Sequence, residues 1–174
     1  MDDFSTYRGA LEVFKKANWT GATENCIFGA IVDSSKSSEF TASMAGFGAL
    51  GPAGYVVGNI LGQERDRRIN KINDYIFVLI NLTENGIGIL PVIGGGMKID
   101  PERLTPAYDG FVCFGYNEIS DISSKNFYGI RKSVKAITLT LTNNYKLHFN
   151  ANMVEKNLPY QENNMNIFVE RYQK

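Results

Sequence analysis

The sequence has no excess of charge of either sign, because its 18 lysine and arginine residues match its 18 aspartate and glutamate residues. A nucleic-acid-binding protein usually carries a basic excess or a long basic stripe, so we expect no nucleic-acid partner. Histidine occurs once, at His148, and cysteine twice, at Cys26 and Cys113. Because a zinc site needs about four ligands, this supply predicts no metal site, and we expect no cofactor.

The N-terminal residues also lack the features of a secretory signal. Asp2, Asp3 and Glu12 occupy the stretch in which such a signal would be apolar. Cys26 and Cys113 lie in apolar, strand-like surroundings, and we interpret them as buried free thiols. These observations predict a cytoplasmic protein without disulfides.

Two glycine clusters resemble phosphate-binding loops but lack the context that such loops need. Residues 46–51 match the pattern GxGxxG, but no buried strand leads into them, as dinucleotide binding requires. Residues 94–98 read GGGMK and lack the serine or threonine that follows the lysine of a P-loop. Neither cluster is therefore predicted to bind a nucleotide.

The side chains that could act in catalysis form no recognisable pattern. His148 has no acidic or cysteine neighbour in sequence, and strand alternation places it on the face away from the core. Glu118 and Asp121 are an odd number of residues apart on a predicted strand, so they lie on opposite faces. We expect no catalytic residues and a non-enzymatic protein, with an enzyme of unrecognised type as the alternative.

An uncharged, glycine-rich run covers residues 40–63. Within it, Gly54, Gly58 and Gly62 recur every fourth residue, so on a helix they share one face and allow another backbone to approach closely. Glycine lowers helix stability, which indicates that this face has a packing role. We predict a helical insertion over residues 34–72 that packs on a soluble domain, contacts a membrane or mediates self-assembly.

Apolar periodicity predicts two terminal helices and an antiparallel sheet. Helical spacing predicts a first helix over residues 3–17 and a final helix that begins near Asn157. Alternation and turn residues predict strands over residues 26–32, 75–82, 86–92, 111–114, 116–123, 134–142 and 145–150. In the last strand, we expect Leu147 and Phe149 to face the core and Asn150 to face out.

The order of these elements resembles the bacterial pleckstrin-homology-like domains, over residues 24–32 and 75–173. The resemblance lies in a hairpin, the strand YNEISDI at residues 116–122, a basic turn with a glycine, a second hairpin and a closing helix. It implies a bent antiparallel sheet, a half-barrel whose open end is plugged by the C-terminal helix. It implies no lipid headgroup preference, because residues 83–85 lack the basic signature of phosphoinositide-binding members.

A basic turn follows the YNEISDI strand. Lys125, Arg131, Lys132 and Lys135 surround Phe127 and Tyr128. Positive side chains are attracted to an anionic membrane surface, and aromatic rings lie at its interface. We therefore predict that these six residues form a binding surface, with a solvated turn as the alternative.

These features together predict one α+β domain over residues 1–174, with an N-terminal helix, a pleckstrin-homology-like sheet, a glycine-rich helical insertion and a C-terminal helix. We expect a non-enzymatic binding module whose partner is an anionic lipid surface or another protein. Self-assembly into a homo-oligomer through Gly54, Gly58 and Gly62 is the alternative. The expected location is the cytoplasm, and peripheral contact with the inner face of the membrane is left open.

Overall fold

The computed structural model describes residues 3–19, 25–32, 68, 72, 75–94, 99–127 and 131–172. Within these residues the protein is an α+β structure, with one helix on each face of an eight-stranded antiparallel sheet. The helices are α1 (Tyr7–Lys16) and α2 (Gln161–Tyr172). The strands are β1 (Cys26–Ile31), β2 (Phe77–Leu82), β3 (Gly86–Ile93), β4 (Thr105–Pro106), β5 (Val112–Gly115), β6 (Ile119–Phe127), β7 (Arg131–Leu141) and β8 (Lys146–Asn152). The predicted fold class is confirmed at this broad level.

The described strands form an open sheet in the order β4-β3-β2-β1-β8-β7-β6. β5 lies off this path and also pairs with β3. The predicted hairpins are present, because β2 pairs with β3 and β7 pairs with β8. Between β7 and β8, Asn144 has a φ of 65°, a left-handed conformation that asparagine adopts more readily than most residues.

The sheet carries a separate apolar cluster on each face. The first core contains Ile27 and Ile31 of β1 and receives Met165 and Phe168 from α2. The second core contains Cys26, Phe28 and Ala30 of β1, together with buried residues of α1. Because both faces of β1 and β2 are covered, all their residues are buried, which explains their continuous apolar sequences.

α1 confirms the first predicted helix. Its N-cap is Thr6, whose Oγ1 accepts a hydrogen bond from the N–H of Gly9 at 3.0 Å, as is typical of helix starts. The helix ends before Asn18, which has a φ of 60°. Val13 and Phe14 are buried in the second core.

The predicted burial pattern of β8 has to be corrected at Asn150. It lies on the face opposite Phe149, as alternation requires, but it is only 5% exposed. Asn150 pairs with Ala30 on one side and Ala136 on the other. The expectation that it faces solvent was wrong, because β1 beside it is covered on both faces.

α2 begins at Gln161, four residues after the predicted start at Asn157. Before it, Leu158 and Tyr160 are buried in the second core. Within α2, Met165 and Phe168 are buried in the first core. The chain therefore passes from one face of the sheet to the other at Gln161, which is fully buried.

This crossing point is a gap between β1 and β8, whose pairing is limited to Ala30 and Ile31 of β1. The side chain of Gln161 fills the gap. Its Oε1 accepts from the N–H of Phe28 at 2.8 Å, and its Nε2 donates to the carbonyls of Phe28 and Asn152, each at 2.9 Å. One carboxamide thus takes the place of a paired strand residue.

Asn164 continues the same contact one helical turn later. Its Nδ2 donates to the carbonyl of Cys26 at 2.7 Å, and its own carbonyl accepts from Nδ2 of Asn25 at 2.6 Å. The edge of β1 is therefore hydrogen-bonded to the first turn of α2 through side chains.

Trp19 is the only tryptophan of the chain, and it packs over Gly88 of β3. Its Nε1 donates to Oδ1 of Asn81 at 2.9 Å, and Asn81 pairs directly with Gly88. A methyl group at Gly88 would lie 2.9 Å from Nε1 of Trp19. This approach is closer than packed carbon and nitrogen atoms tolerate, so glycine is needed here.

We expect Gly88→Ala to displace the indole, because the added methyl overlaps it. The free energy of unfolding should fall by about 1–3 kcal/mol, and the tryptophan emission should shift to longer wavelength. Gly29→Ala is the control, since its methyl would lie near the carbonyl of Asn150, at 3.1 Å, and away from the indole. An unshifted emission in Gly88→Ala would contradict the packing described here.

Candidate functional site

The predicted binding surface lies where β6 turns into β7. Asn126 pairs with Lys135, whereas the next residue of β6, Phe127, pairs with Arg131. Residues 132–134 of β7 therefore have no pairing partner in β6 and form a bulge. Bulges change the direction in which side chains leave a strand, and Lys132 within this bulge is exposed.

Two of the predicted lysines are presented to solvent on the two adjacent strands. Lys125 is exposed in β6, opposite Ala136, and Lys132 is exposed in the bulge of β7. Arg131 is the first residue of β7, and its backbone pairs with that of Phe127. Tyr128 lies outside the described residues. The turn thus carries two described ammonium groups at its surface.

Phe127 and Lys135 lie inside the protein. Phe127 is 2% exposed and Lys135 is 6% exposed. Nζ of Lys135 donates to Oδ1 of Asn126 at 2.6 Å, across the strand pair. In this structure both side chains support the turn from beneath, and neither ring nor ammonium is presented to solvent.

The glycine face of Gly54, Gly58 and Gly62 lies outside the described residues. Its three predicted alternatives therefore stay predictions. Of the predicted insertion, residues 34–72, only Arg68 and Ile72 are described, and both have helical backbone. Ile72 is fully buried in the first core.

Arg68 attaches this segment to β5 and to the turn that follows it. Its guanidinium donates to the carbonyl of Cys113 at 3.1 Å and to Oε1 of Glu118 at 2.8 Å. It also lies 4.5 Å from the ring centroid of Phe114. Glu118 lies in a short 3-10 turn and not in the predicted strand, where its Oε2 accepts from the N–H of Gly115.

No helix among the described residues is both long enough and apolar enough to cross a bilayer.

Both cysteines are free thiols, as expected, but only Cys26 is also buried as predicted. Cys26 is fully buried, and burial raises the pKa of its thiol well above the usual value. Cys113 is half-buried, and burial raises the pKa of its thiol against the opposing charge of Arg68. A raised thiol pKa lowers the thiolate fraction at neutral pH and therefore the reactivity of both groups.

His148 lies on the predicted face of β8 but is half-buried. Its Nδ1 is 3.1 Å from Oγ1 of Thr138 on β7. Burial, followed by the charge of Lys146, lowers the pKa of His148. In the described part of the chain, no three His, Cys, Asp or Glu side chains come together as metal ligands would.

The lowered pKa of His148 makes stability depend on pH. The unfolded chain binds this proton more readily than the folded protein, so stability falls as the pH drops below the unfolded value of 6.5. We expect His148→Gln to lose less stability than the wild type between neutral and mildly acidic pH. Urea unfolding at both pH values measures the difference, and equal losses would contradict a lowered pKa of the half-buried His148.

Comparisons with known proteins found no relative of this chain. The sequence matches no model of a known protein family, no curated protein and no solved structure. The function of the turn is therefore inferred from its own geometry.

Proposed function

We propose that this protein is a non-enzymatic binding module whose β6–β7 turn contacts an anionic membrane surface. The observation that carries the proposal is the exposure of Lys125 and Lys132 on the two strands that meet at this turn. The bulge in β7 separates Lys132 from the regular alternation and turns it to solvent. Arg131, next to it in sequence, adds a third positive charge to the same segment.

We further propose that the scaffold is a pleckstrin-homology-like half-barrel with a helical glycine-rich insertion over residues 34–72. The strand order supports this, because β1 joins the β2–β3 hairpin on one side to the β8–β7–β6 group on the other. The position of α2 also supports it, since α2 contacts both β1 and β6 and places Phe168 in the first core. Such a position fits a helix that plugs the open end of the sheet.

The contacts of the ionisable side chains favour binding over catalysis. Glu118 is engaged by Arg68 and Gly115, and Glu155 accepts from Nδ2 of Asn152 at 2.6 Å. His148 is half-buried beside Thr138. Each of these groups has a structural partner, whereas Lys125 and Lys132 of the turn are exposed to solvent.

The positive charges of the turn set the size of its contribution to the free energy of membrane binding. A lysine near an anionic bilayer contributes about 1 kcal/mol to binding, so Lys125 and Lys132 together account for roughly a 30-fold change in partition. Such a contact is weak and reversible, and it is screened within about 8–10 Å at physiological salt. We therefore expect peripheral, salt-sensitive membrane binding.

The test is flotation of the full chain with phosphatidylcholine vesicles, with and without phosphatidylserine. We expect flotation only with phosphatidylserine, and its loss at high salt. The double variant Lys125→Gln and Lys132→Gln should reduce partition roughly 30-fold. The matched control is Lys15→Gln and Lys146→Gln, which removes the same charge at exposed lysines of α1 and β8.

Two outcomes would overturn this proposal. Equal losses of partition in the double variant and the control would show that net charge, and not the turn, determines binding. A wild-type protein that stays unbound at every salt concentration would leave a protein partner as the function of the turn.

A further inference from the structure

The turn between β2 and β3 contains the one asparagine of the sequence that is followed by glycine, at Asn85 and Gly86. Asn85 is exposed at the tip of this hairpin, together with Glu84. Its N–H donates to Oγ1 of Thr83 at 3.1 Å. The backbone of the turn is therefore held from within, while the residue itself is open to solvent.

The fold requires glycine at position 86. Gly86 has a φ of 155°, a conformation that residues with a side chain rarely adopt. A Cβ on this residue would overlap the carbonyl oxygen of Phe114, because β5 pairs with this end of β3. The backbone nitrogen of Gly86 therefore has no side chain beside it that would shield it from Asn85.

An asparagine in this position can react with its own main chain. The backbone nitrogen of Gly86 attacks Cγ of Asn85, and a new C–N bond forms. The bond between Cγ and Nδ2 breaks, and ammonia leaves with the proton of the attacking nitrogen. Water then opens the resulting cyclic imide at one of its two carbonyls, which gives either aspartate or isoaspartate. In isoaspartate the main chain runs through Cγ.

We propose that Asn85 is a site of spontaneous deamidation in the folded protein. The reaction needs only water besides the chain itself. Its attacking nitrogen belongs to a glycine that the packing of β3 against β5 imposes. The site lies in a different turn from the one between β6 and β7, so it goes beyond the proposed membrane contact and does not depend on it.

Isoaspartate at position 85 would disturb the contacts of the hairpin. The carbonyl of Gly86 accepts from the N–H of Thr83 at 3.0 Å and from its Oγ1 at 3.2 Å. The carbonyl of Thr83 in turn accepts from the hydroxyl of Tyr116 at 2.8 Å. Isoaspartate adds a methylene group to the main chain between Thr83 and Gly86 and places a carboxylate beside Glu84. We expect the modified chain to lose the contacts between Thr83 and Gly86.

Asn143 is a matched comparison within the same chain. It is also exposed in a hairpin turn, the one between β7 and β8. The residue after it is Asn144, whose side chain hinders attack by the backbone nitrogen. Its Oδ1 also accepts from the N–H of Tyr145 at 3.0 Å, which holds the carboxamide in place. We expect Asn143 to stay unmodified under conditions that convert Asn85.

The test is peptide mapping by mass spectrometry of the full chain, incubated in its folded state at neutral and at mildly alkaline pH. The peptide that contains Asn85 should gain about one dalton, because an NH₂ group is replaced by OH, and the gain should be absent at Asn143. Conversion should be faster at the higher pH, since the attacking nitrogen has to lose its proton. Asn85→Gln should abolish the gain, because the longer side chain closes a larger and less favoured ring.

A folded protein whose Asn85 keeps its mass would overturn the proposal, and conversion of the same chain in urea would then assign the protection to the turn. Equal conversion at Asn85 and Asn143 would also overturn it, because glycine at position 86 would not determine the site. The converted fraction can be separated by anion exchange through its added negative charge. Its midpoint of urea unfolding should be lower, and an unchanged midpoint would contradict the expected loss of contacts in the hairpin.

Discussion

The described structure depends on how the edge of β1 is completed where β8 leaves it. At that point the backbone of Phe28 lies inside the protein, between the two cores, and needs one acceptor and one donor. Gln161 supplies both from a single carboxamide, and its second N–H binds the carbonyl of Asn152. A buried backbone group without a partner costs about 1–3 kcal/mol, so this residue stabilises the sheet as well as the helix it begins.

The same contact sets the position of α2 over the sheet. Gln161 and Asn164 bind the β1 edge in the first turn, so the turns that follow are directed over the first core. Phe168 is then buried in the first core. α2 also contacts β6, the strand that carries Lys125. A helix held by side-chain hydrogen bonds at its start therefore packs against both β1 and β6.

Local patterns in the sequence predicted both helices, the two hairpins and the broad fold class, because periodicity and turn residues act over short distances. They did not predict the start of α2, which is fixed by Phe28, 133 residues away in sequence. Lys135 alternates with Ile137 and Leu139, so its burial could have been predicted from the strand pattern. The turn was instead interpreted from its positive charges and aromatic rings. The burial of Phe127 depends on a register shift in the β6–β7 pair, for which the sequence has no local signal.

The central claim is that a neutral carboxamide at position 161 completes the sheet, and Gln161→Glu tests it most directly. A carboxylate has no N–H for the carbonyls of Phe28 and Asn152, and it would be buried as a charge. We predict that the free energy of unfolding in urea falls by roughly 3 kcal/mol or more at neutral pH, with partial recovery in acid as the carboxylate is protonated. Asn166→Asp, an exposed change on the same helix, should alter it by no more than about 0.5 kcal/mol. A Gln161→Glu variant as stable as the wild type would contradict the account.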